Sequence, residues 1–157
     1  MERKLSTLEL TLRRRPYVKL TGGAYRSERN YLDFVIDGQS LSDRARFDVI
    51  SVLCKEWALE ECEKSVRRLL GEGSADFLDD RRSLLVCPEC GDIGCGAVSI
   101  ALRLSEKTAI WQDFGYQNNY ELEIRGEHLK SLGPFEFELG DYKSKLIRGL
   151  EMLKAPQ

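Results

Sequence analysis

Three of the five cysteines fall in one short segment, Cys87-Pro88-Glu89-Cys90-Gly91-Asp92-Ile93-Gly94-Cys95-Gly96. Two thiols at Cys-x2-Cys spacing can turn toward one ion, because Gly91 accepts the sharp bend between them. Cys95 offers a third sulfur. Zinc takes four ligands in a tetrahedral array, most often cysteine or histidine. His128 is the only histidine in the chain and is the expected fourth ligand. Asp92, Cys54 and Cys62 are the other donors to weigh. The sequence has no second Cys-x2-Cys to complete a zinc ribbon. Three ligands and an open position would make a catalytic metal site, but no obvious general base accompanies them.

The same segment admits other chemistry. Cys87-Pro88-Glu89-Cys90 has the form of dithiol oxidoreductases, which lower the first thiol's pKa at a helix N-terminus. Gly91, Asp92, Gly94 and Gly96 start helices poorly. The context therefore opposes a thioredoxin-like site, while a regulatory disulfide among Cys87, Cys90 and Cys95 stays open. A phosphate-binding nest would need a following helix and a Lys-Ser/Thr pair, and both are missing. The plainest alternative is a hairpin tip of reduced cysteines, with Asp92 bonded to nearby amides.

The flanking runs must position these thiols. Leu84-Leu85-Val86 leads in and Ala97 to Leu104 leads out, which reads as strand, tight loop, strand. Ser105-Glu106-Lys107 then turns the chain into a strand from Thr108 to Phe114. Phe135 to Leu139 alternates as a short strand after the break at Gly133-Pro134. Upstream, Leu5 to Leu12 alternates as a strand with one buried face. Tyr31 to Ile36 reads as another, closed by an Asp37-Gly38 turn. Ser40 to Asp48 is turn-like, and Val49 to Leu53 is ambiguous. Lys55 to Leu70 has helical spacing in Ala58, Cys62, Val66 and Leu69, ended by Gly71. Gly71 to Arg82 reads as a solvated connection. Asp141 is placed to cap a last helix through Leu153, with Tyr142, Leu146 and Leu150 on its apolar stripe. The expectation is one α+β domain over residues 1–157: a mostly antiparallel sheet, in effect a β-meander, flanked by two helices.

A second stretch, Trp111 to Glu121, joins aromatics to carboxamides at a strand end. Trp111, Tyr116, Asn118, Asn119 and Tyr120 are candidate partner contacts, since aromatic bodies with polar tips bury area with little entropy loss. The competing reading puts Trp111 and Phe114 in the core and leaves Asn118-Asn119 as a turn. Asp33, Asp37, Asp92 and Asp113 have no spacing that makes them an acid/base pair. No Ser-His-Asp arrangement can be drawn around one histidine.

Composition narrows the classes. With 157 residues, 42% apolar and 32% charged, the chain can bury a sizeable core without staples. A net charge of −2 argues against a nucleic-acid binder. Arg13-Arg14-Arg15 is the only basic cluster and reads as a solvated strand end. No apolar run approaches the roughly 20 residues of a membrane span. The charged start, Met1-Glu2-Arg3-Lys4-Leu5, does not read as a signal peptide. A cytoplasmic protein with reduced thiols is expected, and the odd cysteine count agrees.

Four segments together resemble an uncharacterised family of small bacterial proteins. They are Tyr31-Leu32-Asp33 through Asp37-Gly38-Gln39-Ser40-Leu41, then Cys87 through Val98, then Trp111-Gln112-Asp113-Phe114 with Asn118-Asn119-Tyr120, then Gly133-Pro134-Phe135-Glu136-Phe137 with Tyr142. The resemblance covers most of the chain from Tyr31 on. It implies a stand-alone bacterial protein whose cysteine loop belongs to the group, and it supplies no activity or catalytic residue. The expected function is a non-enzymatic interaction protein, of immunity or adaptor type, with a protein partner and a structural zinc knuckle. The competing expectation is a thiol- or zinc-dependent enzyme using Cys87, Cys90 and Cys95.

Overall fold

Alternating apolar residues form the strands, and their pairing is antiparallel throughout. The computed structural model describes residues 4–155. The first half contains β1 (Leu8–Arg15), β2 (Val18–Lys19), β3 (Tyr25–Arg26), β4 (Arg29–Ile36) and β5 (Gln39–Ser40). Then follow α1 (Leu41–Ala45), β6 (Ile50–Ser51) and α2 (Leu59–Leu69). The second half is β7 (Arg81–Val86), β8 (Ala97–Leu104), β9 (Thr108–Gln117), β10 (Phe135–Glu138) and α3 (Leu139–Lys154).

β1, β4 and β5 form one sheet, and β10-β9-β8-β7-β6 form a second in that order. β2 and β3 make a separate small hairpin. The two larger sheets are stitched at both ends. Leu32 N–H donates to Leu53 O at 2.9 Å and Lys55 N–H to Asn30 O at 2.7 Å. At the other end Ser6 N–H donates to Glu136 O at 2.7 Å. Backbone bonding thus runs from β10 through β6 to β4, β1 and back to β10, which covers edges that would otherwise pair with other chains. This is the α+β, mostly antiparallel fold the sequence implies.

The core joins both sheets to α3. Trp111 on β9 meets Phe34 of β4, Phe137 of β10 and Tyr142 of α3 edge-on, at 5.3, 5.2 and 6.0 Å between ring centres. Its indole N–H donates to Tyr142 Oη at 3.1 Å, and that hydroxyl donates to Leu69 O at the end of α2. Gly149 lets α3 lie close on the first sheet: a Cβ there would be 2.6 Å from Leu10. Among the described residues no helix is long and apolar enough to cross a membrane.

Several expectations are corrected. Trp111 is fully buried and cannot be a partner contact. Ser40 to Asp48 is not merely a turn: Ser40 Oγ accepts from Asp43 N–H and caps α1, which buries Leu41 and Ala45. α2 starts at Leu59, not Lys55, because Trp57 N–H closes a turn onto Cys54 O at 3.1 Å. Glu138, not Asp141, caps α3, its carboxylate accepting from Gly140 and Asp141 N–H. β1 buries Leu8 but leaves Leu12 at 48% exposure. Arg81 and Arg82 open β7 and are each 7% exposed, so they are no solvated connection. The Arg13-Arg14-Arg15 run is engaged by acids: Arg13 by Asp33 and Asp43, Arg14 by Glu28, Arg15 by Asp48 and Glu89.

Tyr142→Phe tests the buried relay. It leaves Trp111 Nε1 and Leu69 O without their shared partner, and should cost about 1–3 kcal/mol in urea unfolding with an unchanged slope. An unchanged midpoint would mean that the hydroxyl contributes nothing to stability.

Candidate metal centre

The loop between β7 and β8 folds back on itself through its own backbone. Gly91 N–H donates to Cys87 O at 2.9 Å, closing a turn around Pro88 and Glu89. Gly91 has φ +67°, and a Cβ there would stand 2.9 Å from the Trp57 ring, so only glycine fits. Asp92 N–H points at Cys90 Sγ, 3.4 Å away, and the Asp92 carboxylate accepts from Gly94 N–H at 2.8 Å. Cys95 N–H and Gly96 N–H close a short turn onto Asp92 O and Ile93 O, both at 3.0 Å. Gly96, with φ +107°, admits the Tyr116 hydroxyl, which donates to Cys95 O at 3.1 Å.

These turns bring the Cys87, Cys90 and Cys95 sulfurs within 4.8 Å of one another, a group that can hold a metal ion. Cys90 and Cys95 are exposed and Cys87 is partly buried. Cys90 Sγ and Cys95 Sγ are 3.0 Å apart, and all five cysteines are free thiols. The sequence Cys-x2-Cys-Gly-x3-Cys therefore marks a real cluster. Gly91 leads into a single 3-10 turn, Ile93–Cys95, and not into an α-helix, so the helix-dipole activation of a thioredoxin-like site has no structural basis here.

The other proposed ligands do not join. His128 Nε2 lies 2.7 Å from Ala45 O, and its ring stands edge-on to Phe47. Asp92 is occupied as a local cap. Cys54 and Cys62 are core residues: Cys62 Sγ donates to Cys54 O, and burial pushes the Cys54 thiol up to about 12. Among the described residues, no fourth Cys, His, Asp or Glu donor lies with the three sulfurs.

The loop is clamped to the first sheet by residues the sequence reading missed. Glu89 accepts from Ser27 Oγ at 2.6 Å, from Ser27 N–H and from Arg15, which also pairs with Asp48. Arg29 donates to Pro88 O at 2.7 Å and lies over the Trp57 ring, 5.1 Å from its centre. The signal was present in part: an acid sits inside the thiol motif and an arginine run sits far upstream. Only the fold brings them together. Trp57, Cys90, Gly91 and Ile93 also line a cleft of about 490 Å³ with Glu61 and Arg68.

Tyr116 carries the clamp to the second candidate region. Burial and the neighbouring Cys87 and Cys95 hold its phenol above the ordinary range. Beyond it, Asn118 Oδ1 accepts from Tyr120 and Glu121 N–H, which makes the turn the carboxamides suggested. Asn118, Asn119 and Tyr120 line a second cleft, of about 580 Å³, with Phe77, Leu78 and Leu122.

No family model, curated protein or solved structure matches this chain. The resemblance noted in the sequence has no matching family model behind it, and the site rests on its own geometry.

The Glu89 clamp predicts a pH signature. Hydrogen bonds from Ser27, aided by Arg15, hold the Glu89 carboxyl below its ordinary value. Its contribution is present above the unfolded pKa, about 4.3, and is lost as pH falls through the lower folded value. The Ser27 amide resonance should titrate with that depressed midpoint and become flat in Glu89→Gln. A wild-type midpoint at or above the ordinary glutamate value contradicts the clamp.

Proposed function

We propose that this chain is a non-enzymatic interaction protein in which a zinc knuckle braces a docking surface for a protein partner. Zinc is the metal that three cysteine sulfurs favour, being borderline-soft and content with tetrahedral thiolate sites. The observation that carries the docking half is an exposed apolar trio around one cleft. Leu78, Leu122 and Tyr120 are 99%, 93% and 74% exposed. Such a cluster beside carboxamides is what a partner interface requires. Asp79 and Glu121 also line the cleft. Glu121 shares one cation, Arg125, with Glu123, so the rim stays net acidic and favours a partner that brings apolar side chains flanked by basic ones. The knuckle is adjacent: Tyr116 bonds Cys95 O, and Asn119 lies against Gly94. An adaptor or immunity-type role in a reducing compartment such as the cytoplasm fits this chemistry.

A second reading is favoured by one contact, the 3.0 Å approach of Cys90 Sγ to Cys95 Sγ. It makes the chain a thiol-dependent enzyme cycling between dithiol and disulfide.

Metal analysis separates the two. Protein purified without chelator should carry about one zinc per chain, lost in Cys87→Ser and Cys90→Ser. Metal-free protein with two fewer titratable thiols would favour the enzyme. A photo-crosslinking residue at position 120 should give, in cells, one discrete protein adduct whose linked segment is apolar and basic. Leu122→Asp should abolish that adduct while leaving zinc content and circular dichroism unchanged. An adduct pattern indifferent to Leu122→Asp would remove the docking surface.

A further inference from the structure

The coordination set of the knuckle is one donor short among the described residues. Three sulfurs converge, and no fourth Cys, His, Asp or Glu donor among the described residues lies with them. One Asp92 oxygen accepts from Gly94 N–H, the Tyr116 hydroxyl donates to Cys95 O, and His128 Nε2 lies on Ala45 O. Zinc held by thiolates takes four ligands. Cys90 and Cys95 are exposed, so a metal on them is reachable from outside. Cys90 also borders the cleft that four acids, Glu56, Glu61, Asp76 and Asp92, line with one arginine, Arg68.

The charge of the site selects the missing donor. A divalent ion with three thiolates already carries net negative charge, and the neighbouring carboxylates add to it. A fourth anionic ligand would add more repulsion, whereas a neutral imidazole nitrogen adds none. The same electron-rich sulfur set weakens the ion as a Lewis acid, so the open position suits ligand capture better than water activation.

We propose that the fourth coordination position of this metal is exchangeable and takes an external imidazole, the side chain of a histidine from another protein chain. The inference rests on the zinc reading above. It turns the knuckle from a passive brace into a contact point that a histidine-bearing partner completes.

Cobalt(II) reports the two questions separately. Thiolate-to-cobalt charge-transfer bands show that the metal is bound, and the visible ligand-field bands report the fourth ligand. The cobalt-loaded full chain should show both sets. Added imidazole should shift the ligand-field bands saturably while the charge-transfer bands persist, equally in wild type and in Tyr116→Phe. A histidine-containing peptide should shift the ligand-field bands as imidazole does, and the same peptide with alanine in place of histidine should not. Ligand-field bands that ignore imidazole while charge-transfer bands are present overturn the inference and leave the metal site standing. Absence of charge-transfer bands overturns the metal site and the inference together.

Discussion

A single guanidinium buried between strands sets the geometry on which the rest depends. Arg81 lies at the start of β7, and burial pulls its pKa down. It has no carboxylate in ion-pair contact among the described residues. Its hydrogens go instead to Ser99 Oγ and O on β8, and to Gln117 Oε1 and Asp113 O on β9. The Nε hydrogen is shared by Ser99 Oγ and Gln117 Oε1, so three hydrogens are engaged; at about 1.5–3 kcal/mol each they offset a desolvation cost of several kcal/mol. The carbonyl of Asp113 is available only because the pairing of β8 with β9 slips between Ser99 and Ala101. Asp113 takes φ +55° at that slip. The slip sets Tyr116 opposite Val98, within reach of Cys95 O. The thiol loop and the carboxamide turn thus take their relative position from this slip, onto which the buried cation bonds.

The cysteine loop is then fixed from its other side by charge. Arg15 and Arg29 come from β1 and β4, while Glu89 and the Pro88 carbonyl come from the loop. These contacts tie the two sheets together at the knuckle. Individually they are worth little, since several partners are partly exposed to solvent. Together they hold the first turn of the loop before any metal binds. A metal site held this way loses less chain entropy on loading than a free loop would.

Much of this was legible from residue types. The alternation in Tyr31 to Ile36 and Ala97 to Leu104, the helical spacing around Cys62 and the convergence of Cys87, Cys90 and Cys95 are local properties. Local periodicity and turn chemistry report them directly. What escaped depends on contacts far apart in sequence. Arg81 and Arg82 look solvated because they follow Asp79 and Asp80, and nothing local says that a bulge on β9 offers a carbonyl to one of them. Trp111 was ambiguous for the same reason: an aromatic at a strand end reads alike as interface or core until Phe34, Phe137 and Tyr142 surround it. His128 was a candidate only by being the lone histidine, and the fold spends it on Ala45 O.

The polar groups around the thiols and the groups left exposed beside them differ in kind. Around the thiols the polar side chains make local bonds: one Asp92 oxygen caps, Glu89 clamps, and Tyr116 donates to backbone. The groups left uncommitted are of another kind. Leu78, Tyr120 and Leu122 are exposed apolar surface. Apolar area is recovered only by covering it, and a sheet circuit stitched at both ends leaves the chain little freedom to cover it itself. The cysteine loop and the turn after β9 lie side by side, so the three sulfur donors and the exposed apolar side chains share one end of the molecule.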